Sequence, residues 1–146
     1  MIDFVGKASE KIQKLSKEQI ERIISMINEE NEVFDSILES LDSGIIVLDN
    51  RFLIQKINRA VKRFVPVSSS LFEEENPVWD CLLDEDISQF IRKNLEKNIS
   101  HVEEEFSVYI NGKTLFVGVS IVPLCRKGDI CGSIIIFRDM TAKRQQ

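Results

Sequence analysis

Apolar positions recur at helical spacing up to about residue 41 and at strand spacing beyond it. In the first region Ile20, Ile24, Ile27, Phe34, Leu38 and Leu41 fall three, four or seven residues apart, with Asn31 completing the series. Read as a heptad, Ile20, Ile27, Phe34 and Leu41 take d, and Ile24, Asn31 and Leu38 take a. A single Asn at a fixes register in two-stranded coils, so the stripe is a candidate dimerisation seam. Ser16-Lys17-Glu18-Gln19 has the form of a capping box, with Leu15 and Ile20 placed for a hydrophobic staple. Either a fresh helix starts at Ser16, after a shorter one over about Phe4 to Lys14, or one helix runs through unbroken.

After Asp42-Ser43-Gly44 the pattern changes. Gly44 to Leu48 predicts a buried strand, Asp49-Asn50-Arg51 a tight turn, and Phe52 to Ile57 a second strand. Asn58 to Phe64 predicts a short helical piece stopped at Pro66. Ser68-Ser69-Ser70 and Glu73-Glu74-Glu75-Asn76-Pro77 are loop signals. Ile87, Phe90, Ile91 and Leu95 share one face of a helix over about Asp84 to Lys97. Val102 to Ile110 alternates, with Phe106, Val108 and Ile110 on one side and Ser107 and Tyr109 on the other. Asn111-Gly112 then predicts a hairpin, because both residues tolerate positive φ. Lys113 to Leu124 and Ile130 to Arg138 are the last two strands, joined at Arg126-Lys127-Gly128-Asp129. The expected fold class is α+β: five short antiparallel strands in one sheet, with helices on one face and N-terminal helices in front.

Composition agrees with a soluble globular domain: 146 residues, 43% hydrophobic and 29% charged. A net charge of −5 offers no broad basic face for nucleic acid or anionic lipid. No apolar run approaches the roughly 20 residues that span a bilayer, and the N-terminus lacks the pattern of a signal peptide. Cys81, Cys125 and Cys131 form an odd, sparse set that suits a reducing, cytoplasmic compartment.

From about Phe34 to Thr141 the chain resembles a PAS domain. Ser43-Gly44-Ile45-Ile46-Val47-Leu48-Asp49 resembles the family's first-strand signature, Ile57-Asn58-Arg59-Ala60 its Asn-x-Ala step, and Phe137-Arg138-Asp139-Met140-Thr141 its closing Asp-x-Thr motif. One departure is Phe64-Val65-Pro66-Val67-Ser68, where the family often has a glycine-aromatic pair. The resemblance implies a sheet of order 2-1-5-4-3, sensing of a small molecule or partner between sheet and helices, and signal passage through helices at both ends. Three segments follow: residues 1–33 as a helical dimerisation segment, 34–141 as the sensor domain, and 142–146 as the start of an outgoing helix.

Candidate chemistry is sparse. His101, the single histidine, has no nucleophile pattern near it and is not expected to be catalytic. His101-Val102-Glu103 has the H-x-E form of zinc deaminases, but Pro123-Leu124-Cys125 and Cys131 do not make the required P-C-x-x-C, so no metal site is expected. His101 follows the helical segment that carries the axial ligand in haem-binding relatives, and Trp79-Asp80-Cys81-Leu82-Leu83 does not match the reactive-cysteine sequence of flavin photosensors. Neither haem nor flavin is expected, and no cofactor is assigned. Candidate lining residues for a small apolar ligand are Ile46, Leu48, Ile57, Phe64, Trp79, Phe90, Ile91, Phe106, Val108, Val117, Val119 and Ile136. The simpler reading of the same residues is a packed core between sheet and helices. Asp139 and Thr141 can cap an outgoing helix, or bond back to the sheet and couple it to that helix.

Two functions follow. One is the input and dimerisation domain of a cytoplasmic bacterial signalling protein, such as a two-component sensor histidine kinase, working as a homodimer with a downstream signalling partner. The other is a stand-alone interaction adaptor without a ligand. No enzyme activity, nucleic-acid binding or membrane insertion is expected of this chain.

Overall fold

The computed structural model describes residues 16–20, 32–69, 76–99 and 102–141. The element order is α1 (Glu32–Ser40), β1 (Gly44–Asp49), β2 (Ile54–Ile57), α2 (Val61–Phe64), α3 (Val78–Cys81), α4 (Glu85–Glu96), β3 (Val102–Ile110), β4 (Lys113–Arg126) and β5 (Asp129–Asp139). The strands form one antiparallel sheet in the order β2-β1-β5-β4-β3. Asn111 and Gly112 both take positive φ, 54° and 76°, and close the β3–β4 hairpin as a two-residue turn.

The three central strands, β1, β5 and β4, feed two layers, because successive side chains leave opposite faces. Ile46 and Leu48 of β1 join Val117, Val119 and Ile121 of β4 and Ile135 and Phe137 of β5 on the inner face, under α2, α3 and α4. Ile45, Val47, Val122, Leu124, Ile134 and Ile136 point the other way. There they meet Ile37, Leu38 and Leu41 of α1 and Ile20 from the helical turn at 17–20. Both faces of the sheet are therefore covered over its central strands, while the outer side of β3 is exposed. The helices expected on one face are there, and the N-terminal helical residues cover the second.

Ile136 was placed with the inner-face residues by its sequence, and the structure corrects this. It is fully buried on the outer face, opposite Ile45 and Ser120 in the register. Four consecutive apolar residues, Ile134 to Phe137, are buried on two faces, so hydrophobicity alone does not reveal their parity.

β2 is shorter than its apolar pattern predicts and begins at Ile54. Asp49 takes the preceding residues for a longer turn: its Oδ1 accepts from the N–H groups of Arg51 at 2.8 Å and Leu53 at 3.1 Å. Phe52 is left at φ 68°, an uncommon conformation for a bulky residue. Two contacts hold it there. Its carbonyl accepts from Val78 N–H at 2.9 Å, and its ring packs on Trp79 with centroids 5.4 Å apart.

The Val65–Ser68 stretch, which lacks the family's glycine-aromatic pair, is extended. Val67 bridges Leu82 antiparallel, with Ser68 N–H donating to Cys81 O and Leu83 N–H to Pro66 O. α4 starts as its sequence predicts: Asp84 is the N-cap, and its Oδ1 accepts from Ile87 N–H at 3.0 Å. Such a cap contributes about 1 kcal/mol.

Candidate functional site

Three places carry the sequence motifs: the junction at Asn58, the exit at Asp139–Thr141, and the space between sheet and helices. Asn58 is 2% exposed and uses both ends of its amide. Its Oδ1 accepts from Ile45 N–H at 2.9 Å, while Nδ2 donates to Leu38 O and Ser43 O, each at 2.9 Å. One side chain thus ties the end of α1, the start of β1 and the chain leaving β2. Three residues later α2 begins, and Val61 presses so close to Gly44 that a Cβ there would lie 2.9 Å from Val61 Cα. The Ser-Gly and Asn-x-Ala motifs are therefore two halves of one junction.

At the exit, Asp139 Oδ1 accepts from Thr141 N–H at 2.9 Å, and Thr141 Oγ1 accepts from Phe116 N–H at 3.1 Å. Met140 N–H donates to Phe116 O at 2.7 Å. Both functions considered for this motif occur together: the carboxylate caps the turn, and the hydroxyl bonds back to β4. Residues 142–146 lie outside the described residues.

The exit lies beside the N-terminal segment. The Met140 side chain covers Gly118, next to the Glu103 carboxylate. Glu103 in turn pairs with Lys17 at 3.7 Å. Lys17 opens the helical turn whose capping box forms as predicted: Ser16 N–H donates to Gln19 Oε1 at 2.9 Å, and Gln19 N–H donates to Ser16 Oγ at 3.3 Å. Residues before Ser16, including Leu15, lie outside the described residues.

The candidate pocket residues, Ile136 apart, gather on the inner side. Ile46, Leu48, Ile91, Val117 and Val119 are fully buried in one cluster, with Phe64, Phe90 and Val108 nearly so. Ile57, Trp79 and Phe106 are half-buried at its margin. Phe90 and Phe106 stack with centroids 5.3 Å apart, and the Arg92 guanidinium lies 5.5 Å from the Trp79 ring centroid. At this margin a groove of about 640 Å³ opens between α4 and the start of β3.

Of the predicted seam, Ile20, Leu38 and Leu41 are buried against the outer face of their own sheet. Ile24, Ile27, Asn31 and the Phe34 side chain lie outside the described residues, as does His101. Cys125 is exposed, and Cys81 is buried with its thiol pushed up by burial and then by the Asp80 carboxylate. Among the described residues no group of three or more His, Cys, Asp and Glu side chains is placed to hold a metal ion. No helix among them is long and apolar enough to cross a membrane. Sequence reasoning missed Phe116 and Ser120. Phe116 acts through its backbone, which a sequence does not mark. Ser120 is a buried hydroxyl with no hydrogen-bond partner, on the outer face beside Ile136.

The model of the PAS domain family matches residues 42–142, from the Asn58 junction through the Asp139–Thr141 exit. The chain belongs to the PAS domain family. It is 27% identical over 119 residues to a probable C4-dicarboxylate sensor kinase of Bacillus subtilis, covering 82% of this chain and 20% of that protein. It is 23% identical over 144 residues to the alginate biosynthesis sensor protein KinB of Pseudomonas aeruginosa, covering 95% of this chain and 23% of that protein. The PAS chain thus spans about a fifth of the length of these curated relatives. Among solved structures, the PAS domain of BvgS from Bordetella pertussis superposes with a TM-score of 0.54 at 17% identity, over 75% of this chain and 85% of that one. This PAS domain is a sensor domain resembling the input domains of sensor histidine kinases.

Proposed function

We propose that this PAS domain is the input and dimerisation module of a cytoplasmic two-component sensor, without catalytic activity or a cofactor of its own. The observation that carries the proposal is the double attachment of the exit to Phe116, through Met140 N–H and Thr141 Oγ1. A displacement of β4 moves the outgoing segment directly, so an event at the sheet is passed to whatever follows Thr141. Ile20, Leu38 and Leu41 are used within the chain, and the proposed pairing with a second copy rests on the heptad spacing of Ile24, Ile27, Asn31 and Phe34 in the sequence.

One relative is named for C4-dicarboxylates. The residues of this chain favour a different signal. The inner face is apolar, and the groove at its margin sets Glu104 and Asp86 against Lys93, which disfavours a dianion. The close packing of Ile46, Leu48, Ile91, Val117 and Val119 supports the second reading, an interaction domain that takes no ligand.

Native mass spectrometry of the freshly purified chain tests dimerisation and ligand retention together. A dimer is expected, and a retained small-molecule mass decides between ligand sensor and ligand-free module. To test coupling, the domain is grafted ahead of the dimerisation and catalytic region of a sensor kinase. Thr141→Val is expected to change autophosphorylation of the graft. A monomer at all micromolar concentrations, together with a graft indifferent to Thr141→Val, would sink the proposal.

A further inference from the structure

β3 is an edge of the sheet, and among the described residues it pairs only with β4. The two-residue turn makes Ile110 and Lys113 the closing hydrogen-bonded pair, so alternation directs the backbone groups of Val108 and Phe106 toward β4. The N–H and C=O groups of Tyr109 and Ser107 then face away from the sheet. Edge strands of this kind are templates for an added strand.

The groove between α4 and β3 lies along the same strand. Phe90, Phe106 and Val102 supply its apolar surface. On the groove side Glu104 of β3 and Asp86 of α4 supply charge against Lys93, whereas Glu103 and Glu105 leave the opposite face of the strand, where Glu103 pairs with Lys17. None of these residues takes part in the Asn58 junction, and none hydrogen-bonds the exit.

We propose that this groove docks an extended, lysine- or arginine-bearing segment of a partner protein, which adds to the edge of β3 and seats an apolar side chain on Phe90 and Phe106. Charge selects this occupant. A second copy pairing antiparallel through β3 would bring two Glu103–Glu105 runs together, and like charges opposite each other destabilise a strand pair. Anionic ligands and nucleic acid meet the same repulsion. A cationic strand instead sets a lysine or arginine against Glu104 and Asp86, two residues along the same strand face from the apolar side chain that meets the two rings.

The test is fluorescence anisotropy with a labelled short peptide that carries lysines two residues to either side of a central phenylalanine, with threonine between them. Saturable binding to the full chain is expected, and none to the glutamate counterpart. Asp86→Lys and Glu104→Lys, both at exposed positions that circular dichroism should show to fold normally, are each expected to weaken binding about tenfold. A peptide of the same sequence, N-methylated at alternate backbone positions, keeps the charge but cannot pair with the edge, and is expected to lose binding. The proposal is overturned if the cationic peptide does not saturate, if either charge reversal leaves binding unchanged, or if the N-methylated peptide binds equally well. Sedimentation that shows self-association abolished by Glu104→Lys would assign the edge to a second copy and overturn it too.

Discussion

Thr141 Oγ1 accepts a hydrogen bond from the backbone N–H of Phe116, 25 residues earlier, and so fastens the exit to the first part of β4. Thr141→Val keeps the shape and removes the acceptor. The loss is expected to be about 1 kcal/mol of stability, with faster amide exchange at Phe116 by NMR. Thr141→Ser should restore both. Unchanged exchange at Phe116 in the valine variant would show that the bond contributes nothing.

Asn58 satisfies three backbone groups from three segments with one amide. Asn58→Ala strands one buried donor and two acceptors and is expected to cost about 3 kcal/mol in denaturant melts. Asn58→Asp keeps the acceptor for Ile45 but loses the donors for Leu38 and Ser43, so it should not rescue the loss at neutral pH. Rescue by Asp would mean that the two donated bonds are dispensable.

Ser120 presents the opposite case. Its hydroxyl is fully buried with no partner. Ser120→Ala removes an unmet hydrogen-bonding group at little packing cost. Thermal melts are expected to show no loss, and a gain of up to about 1 kcal/mol. A clear destabilisation would show that the hydroxyl is satisfied in solution.

Ile20 tests what part of the N-terminal stripe belongs to the domain itself. It is 4% exposed against the outer sheet face of its own chain. Ile20→Ala should cost at least about 2 kcal/mol, and by the same amount across a dilution series. A loss that grows on dilution would place the contact between copies.

The three cysteines should react in order of exposure, Cys125 before Cys131 and Cys81 last, in a thiol assay near pH 8. Burial holds the Cys81 thiol above its ordinary range, so the folded state favours the protonated form. That contribution is complete below the unfolded thiol's pKa and is lost as pH rises through the raised folded value. Cys81→Ala should flatten this alkaline decline, seen as a smaller drop in melting temperature between pH 8 and about pH 10.

Period and turn chemistry made most of this fold legible. The Asn111-Gly112 hairpin, the alternation of Val102 to Ile110 and the capping box at Ser16–Gln19 all rest on local geometry, and local sequence encodes local geometry. Ile136 escaped because Ile134 to Phe137 is apolar on both faces, and only pairing with Ile45 and Ser120 fixes its direction. The outer layer escaped for a related reason. A stripe of Ile and Leu fits a partner helix and the domain's own sheet equally well, and spacing does not name the surface it meets. At the site, the motif residues Asn58, Asp139 and Thr141 stood out in the sequence, whereas their partners Leu38 O, Ser43 O and Phe116 N–H are backbone atoms with no letter of their own.

Lys17, Glu103 and Met140 meet at one spot, so the chain enters and leaves the domain side by side. Both ports open on the same wall of the molecule. A domain built this way can be spliced into a longer polypeptide as a cassette, because the gap it must bridge is only a few side chains wide. Its relatives are several times longer than this chain. In such a protein, the Lys17–Glu103 pair and the Met140 contact would hold two distant stretches of chain at one spot, off the body of the sheet.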